Sequence, residues 1–139
     1  MLKQALVGML QGIPATVSRA HVEAVVKAYL GSFATKDMTA RLALFAEGAQ
    51  ADDPVGLPTH VGKDALAAFW TPSDEGPAQF SSALHRVIVC GDEAMVHFTV
   101  TMVMPGMGEA AIEGFETLAF DAAGKITRLR AFWDESCLT

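Results

Sequence analysis

A chain of 139 residues with 51% hydrophobic and 19% charged residues is the right size for one domain with a sizeable core and too apolar to stay disordered. Its formal net charge of −6 argues against nucleic acid or an anionic membrane as a partner, because both repel an acidic surface. Cys90 and Cys137 lie far apart in no metal or redox spacing and read as free thiols of a reducing compartment.

Residues 1–17 are expected to form an arm or short helix ahead of a domain spanning 18–139. The opening stretch carries one lysine and is interrupted by Gln4 and Gly8. Gln11-Gly-Ile-Pro14 follows it where a secretory leader would have small residues. No run approaches the roughly 20 apolar residues of a membrane span, and the expected location is the cytoplasm.

From Ser18 to Ala34, Val22, Val25, Val26, Tyr29, Leu30 and Phe33 recur at helical spacing, with Ser18 as N-cap. The single tyrosine, Tyr29, falls on the buried stripe with a hydroxyl that needs a partner. A shorter helix is expected from Met38 to Phe45, then a strand from Glu47 to Asp53 stopped by Pro54 and Gly56. A loop through Pro58 and His60 leads to a helix from Lys63 to Trp70, and Pro72 with Ser73 to Pro77 reads as an exposed turn.

Four strands follow: Gln79 to Cys90, Glu93 to Met104, Glu109 to Asp121 and Lys125 to Asp134. Gly91-Asp92, Pro105-Gly-Met-Gly108 and Ala122-Ala-Gly124 separate them. Connections this short force antiparallel neighbours. Helices first and a strand meander second is the α+β pattern, a curved antiparallel sheet with the N-terminal helices on its concave face. Such a cone leaves an interior suited to a small ligand. Phe98, Met102, Met104, Phe115 and Phe132 are read as core or cavity lining.

Three residues are candidates for chemistry. Strand alternation puts Glu116 on one face with Ile112, Gly114, Leu118 and Phe120, so its carboxyl sits among apolar groups that favour its neutral form. An exposed position, or a pair with Arg128 or Arg130, is the competing reading. Asp53 is held extended by Pro54 at a strand end, where a partly desolvated carboxylate suits a general base; ordinary Asp-Pro turn chemistry competes. Tyr29 is open to the reading of a plain core aromatic.

Of the four histidines, His21, His60, His85 and His97, none shows metal-ligand spacing, and all are read as structural or surface residues. No phosphate loop, nucleophile elbow or zinc ligand set occurs. Neither a metal nor a cofactor is expected.

The helix with Tyr29 precedes Leu44-Phe-Ala-Glu-Gly-Ala-Gln-Ala-Asp-Asp-Pro-Val-Gly56 and Gly62-Lys-Asp-Ala-Leu-Ala-Ala-Phe-Trp70. Phe115-Glu-Thr-Leu-Ala-Phe-Asp-Ala-Ala-Gly-Lys125 and Arg130-Ala-Phe-Trp-Asp-Glu135 follow in the same order. Over about residues 20 to 136 the chain resembles the bacterial Δ5-3-ketosteroid isomerases of the nuclear-transport-factor-2-like (SnoaL-like) superfamily. The resemblance implies helices on a strongly curved sheet, a homodimer, no cofactor and a small apolar, steroid-like ketone as substrate. It gives Asp53 the role of general base and Tyr29 and Glu116 that of oxyanion hole, a neutral acid in an apolar site being that family's known device.

Trp70, Val55, Phe98, Leu118 and Trp133 are the expected substrate contacts. Two positions depart from the family: Glu116 stands where it has aspartate, and Trp70 where a supporting tyrosine often stands. Because an indole donates but cannot accept, Trp70 would alter the network around Tyr29. A SnoaL-like polyketide cyclase or dehydratase would also use an acid in the cone. A non-catalytic steroid- or lipid-binding module would need only its apolar lining.

Overall fold

A computed structural model describes residues 1–139. Helix α1 (Leu2–Gln11) is followed by α2 (Arg19–Ala34) and α3 (Met38–Leu42). Strands β1 (Phe45–Asp52) and β2 (His60–Val61), helix α4 (Lys63–Glu75), and strands β3 (Gln79–Cys90), β4 (Glu93–Met104), β5 (Gly108–Phe120) and β6 (Ile126–Phe132) complete the order. The six strands form one curved, unclosed sheet in the order β2-β1-β6-β5-β4-β3. The expected antiparallel meander is present from β3 to β6.

Strand β1 joins the meander by parallel pairing with β6, Asp52 lying opposite Arg130. Parallel strands end on the same side of a sheet, so the segment after Asp52 and the segment after Phe132 emerge side by side. The Val55 amide donates to the Ala131 carbonyl at 2.9 Å and fastens the two together.

The sheet's concave face and helices α2 and α4 enclose a single apolar core in which Val22, Val26, Leu66, Val96, Ile126 and Leu129 are fully covered. Ser18 caps α2 as expected, its side chain accepting from the His21 amide at 3.1 Å. Helix α1 has no buried residue. The following segment is anchored at the β3–β4 turn, where Asp92 accepts from the amides of Thr16 and Val17. No helix is long and apolar enough to cross a membrane, and Cys90 and Cys137 are free thiols.

Among the boundaries that differ from expectation, four have a tertiary reason. The helix expected to reach Phe45 stops at Leu42, because the Leu44 carbonyl accepts from the Ile126 amide at 2.9 Å and Phe45 enters the ladder with β6. The strand expected from Glu47 to Asp53 therefore starts earlier, and Asp53 lies just past its end. His60, expected in a loop, pairs with Ala51 across β2 and β1.

Helix α4 continues through Pro72 to Glu75, where an exposed turn was expected. Its last turn is held by an ion pair between Asp74 and Arg41 at 2.9 Å. That contact lies 33 residues apart in sequence, beyond the reach of any local signal.

Candidate active site

Alternation along β5 is what the apolar pattern predicts: Gly114, Glu116, Leu118 and Phe120 are buried, and Glu113 and Phe115 are exposed. The same rule corrects two expectations. Phe115 and Phe132 are 47% and 43% exposed on the outer face, so they are neither core nor cavity lining. On β4 the inward set is Phe98, Val100 and Met102.

These inward residues wall an apolar cavity of about 350 Å³ between the sheet, α2 and α4, within the ~300–1,000 Å³ range of small-molecule sites. Tyr29 from α2, Asp53 from the end of β1 and Glu116 from β5 all line it. Three acids or phenols distant in sequence therefore meet in one space whose lining is otherwise mainly apolar.

Glu116 is 3% exposed, and its Oε1 has no hydrogen-bond partner in the protein. Burial, and then the nearby Asp53 charge, push its carboxyl from the ordinary 4.5 up to about 8. It is thus neutral around pH 7, a proton donor aimed into an apolar space. Arg128 and Arg130, possible partners on sequence grounds, turn instead to Asp52.

Tyr29 is 3% exposed and is packed edge-on by Phe33 and Phe45. Burial, then Glu116 and Asp53, hold its phenol well above the usual range, with Arg41 opposing. Trp70 packs against it with ring centroids 6.1 Å apart. The indole contributes a wall and makes no hydrogen bond to the Tyr29 oxygen, so the network around that phenol is altered as expected of a tryptophan there.

Asp52 and Asp53 are adjacent and have opposite fates. Asp52 faces Arg128, Arg130 and Thr59. The Thr59 hydroxyl, then the arginines, hold its carboxyl below the usual range against the opposing effect of burial. Half-buried Asp53 faces the cavity, where desolvation raises its carboxyl above the ordinary 3.8, opposed by a hydrogen bond from Trp133 and by the nearby His60 ring. The Trp133 Nε1 donates to Asp53 Oδ1 at 2.9 Å.

Gly114 makes room for that tryptophan. A Cβ there would meet the Phe132 carbonyl oxygen at 2.9 Å and the Trp133 Cβ at 3.2 Å, closer than side-chain carbons normally approach.

Of the expected substrate contacts, Trp70, Phe98 and Trp133 line the cavity. Leu118 shares the face of Glu116 but is 1% exposed, packed deeper in the core. Val55 is also outside the lining; its loop places Pro54 and Leu57 there instead. Phe33, Phe69, Phe80 and Ile112 also line it without having been named as substrate contacts. Helical spacing marks Phe33 and strand alternation Ile112, whereas Phe80 needs the sheet's curvature to be recognised. A larger, more open groove of about 490 Å³ lies between α2 and β3, lined by Arg19, Glu23 and Lys27 among others. Tyr29, Asp53 and Glu116 are not part of its lining.

A cone-shaped sheet with acids buried in its apolar mouth defines a class, and comparison with known proteins agrees. Residues 26–129 match the SnoaL-like domain, and the chain belongs to this nuclear-transport-factor-2-like family. Within it, the chain is 34% identical over 114 residues to a steroid Delta-isomerase of Nocardioides simplex, covering 82% of this chain and 90% of that protein. The crystal structure of Delta 5-3-ketosteroid isomerase from Mycobacterium sp. superposes with TM-score 0.74 at 26% identity, covering 86% of this chain and 97% of that one. The epoxide hydrolase/cyclase-like enzyme SalBIII, of pyran ring formation in salinomycin, shares the fold with TM-score 0.76 at 20% identity, covering 88% and 97%.

Proposed function

We propose that the protein is a steroid Δ-isomerase that converts 3-oxo-Δ5-steroids to 3-oxo-Δ4-steroids by intramolecular proton transfer. The observation that carries this reading is Glu116, a covered, neutral acid with an unpartnered oxygen, sharing an apolar cavity with a phenol and a carboxylate. The similarity to the Nocardioides simplex steroid isomerase supports it.

A flat apolar ketone enters with its carbonyl toward Tyr29 and Glu116. Asp53 takes a proton from the carbon between the carbonyl and the double bond, and the C–H electrons move to give a dienolate. Negative charge develops on the oxygen, where two donors already wait in a water-poor site and need no reorganisation. Protonated Asp53 then returns the same proton two carbons further on, giving the conjugated enone. No redox partner or second base is required.

The experiment follows the rise in enone ultraviolet absorbance from a 3-oxo-Δ5-steroid. A positioned general base contributes roughly 10²–10⁴ in rate and one oxyanion donor roughly 10²–10³. Asp53→Asn should therefore nearly abolish turnover, and Glu116→Gln should reduce it less because an amide still donates. Absence of enone formation, or negligible effects of both substitutions, removes the assignment.

Binding of a phenolic steroid, which mimics the enolate, separates a plain apolar carrier from an isomerase. Affinity that depends on Tyr29 and Glu116 marks the isomerase. Association of two copies, expected from the family resemblance, is measured by sedimentation.

A further inference from the structure

We propose that His85, His97 and Glu113 form a binding site for a divalent transition-metal cation on the outer face of the sheet, away from the steroid cavity. One ligating atom from each residue lies within 4.8 Å of those of the other two. The residues come from three neighbouring strands, β3, β4 and β5. His97 and Glu113 point away from the cavity because they alternate with the inward residues Phe98 and Ile112, which line it, and His85 is likewise outside the lining.

Sheet geometry explains the meeting. Glu113 lies directly opposite Thr99, two residues along β4 from His97 on the same face, so Glu113 and His97 are diagonal neighbours. His85 falls at the register break between Leu84 and Arg86. A bulge frees a residue from alternation and re-aims its side chain. Here it brings the His85 ring within 4.7 Å of the His97 ring.

One pair is already near the spacing a small cation needs, and the third ligand is within a ring rotation of it. His97 Nε2 and Glu113 Oε1 are 3.0 Å apart. Two ligands of a tetrahedral ion with bonds of about 2.0–2.2 Å sit roughly 3.4 Å apart. His85, now 2.7 Å from the Thr99 hydroxyl through its Nε2, closes the third side by rotating its ring. Phe115 stacks on His97 at 4.6 Å and 15°, which fixes the plane of that imidazole as an outer-shell partner does.

The donor set selects the metal. Two imidazoles and one carboxylate suit Zn²⁺, Cu²⁺ and Ni²⁺, whereas Mg²⁺ and Ca²⁺ demand oxygen ligands. Three protein ligands leave at least one coordination position for water or another donor. In the single chain the His97 side chain is 31% exposed and that of Glu113 60%. An ion held there ties together β3, β4 and β5, whose opposite faces carry Phe80, Phe98 and Glu116, so the cavity wall is stiffened from behind. Ligands this far apart in sequence leave no spacing motif, which is why sequence reading passes over them.

The test is calorimetric titration of the full chain with Zn²⁺ at near-neutral pH, with Mg²⁺ as the comparison cation. His85→Gln, His97→Gln and Glu113→Gln keep hydrogen-bonding capacity while weakening or removing a ligand, and circular dichroism verifies that each remains folded. His21→Gln is the control, since His21 bonds the Gly124 carbonyl elsewhere in the molecule. The expected result is one Zn²⁺ per chain and no Mg²⁺ binding, with Zn²⁺ affinity lowered about tenfold or more by each of the three substitutions and unchanged by the control. Zn²⁺ should also raise the melting temperature of the unmodified chain but not of the His97 variant, because an ion that binds the folded state stabilises it. Absence of Zn²⁺ binding, or Zn²⁺ binding indifferent to both histidines, overturns the site.

Discussion

The indole of Trp133 donates to the Asp53 carboxylate at 2.9 Å, and this bond couples the ends of two parallel strands to the group proposed to move the proton. It opposes the rise that burial imposes on Asp53. A hydrogen bond to the charged carboxylate favours its ionised form. Trp133→Phe keeps most of the wall and removes the donor. The acidic limb of the kcat/KM profile should then move upward in pH, and an unmoved limb would show that the bond has no functional weight.

Gly114→Ala tests the same support from behind. A methyl at 114 has the Phe132 carbonyl at 2.9 Å and the Trp133 Cβ at 3.2 Å in its way, so the tryptophan must shift. A displacement of about 1 Å in a positioning group can lower a rate by roughly 10². The expected phenotype is a fall in kcat with a smaller change in KM, read by steady-state kinetics. Wild-type kcat in this variant would mean that Trp133 needs no such placement.

Activity should have an upper pH limit set by Glu116. The base must be ionised and the oxyanion donor neutral, so kcat/KM rises as Asp53 loses its proton, at a pH above the ordinary 3.8. It falls as Glu116 ionises, at about 8. The profile is a bell. Glu116→Gln cannot ionise, so its lower activity should lack the alkaline limb near that pH. Persistence of the limb in that variant would assign it to another group.

The local patterns carried much of this site and the long-range ones did not. Alternation put Glu116 on the apolar face of its strand but left an exposed or arginine-paired position open, and the same alternation, applied to its neighbour, puts Phe115 outside. Asp52 and Asp53 are chemically identical in the sequence; what divides them is the parallel partner β6, whose Arg128 and Arg130 capture Asp52. No periodicity signals a parallel pairing across the intervening meander. Proline at 72 read as a stop because the compensating contact, Arg41 with Asp74, comes from a different helix. Val55 looked like a cavity residue from its place beside Asp53, yet the loop's bond to Ala131 directs Pro54 and Leu57 there instead.

The buried acid also leaves a mark on stability. Because folding favours the neutral form of Glu116, its stabilising contribution is fully present below the ordinary 4.5 and is lost as pH rises through about 8. The slope this one group contributes is at most about 1.4 kcal/mol per pH unit. Asp52, held below its usual range, acts with the opposite sign, losing its contribution as pH falls through its depressed value. The unfolding free energy of the wild type minus that of Glu116→Gln isolates the first effect, since glutamine does not titrate. That difference should decline from mild acid to about pH 8 in urea unfolding experiments, and a flat difference would contradict the burial of an ionisable group at 116.

Arg41 supports the cavity wall from a position with no contact to water. Its guanidinium donates to both oxygens of Asp74, to the Ser32 hydroxyl and to the Ser32 carbonyl, and it lies 3.9 Å from the Phe33 ring centroid and 5.2 Å from that of Trp70. Both rings face the ligand space. Removing one partner of a buried ion pair leaves an uncompensated charge and costs about 3–5 kcal/mol. Asp74→Ala should therefore lower the unfolding free energy by that order, while Asp74→Asn, which still accepts from the guanidinium, should lose less. The consequence reaches the site through Phe33 and Trp70: a folded Asp74→Asn protein should bind a phenolic steroid more weakly even though Asp53, Tyr29 and Glu116 are untouched. Equal affinity in that variant would show that the aromatic wall keeps its shape without the ion pair beneath it.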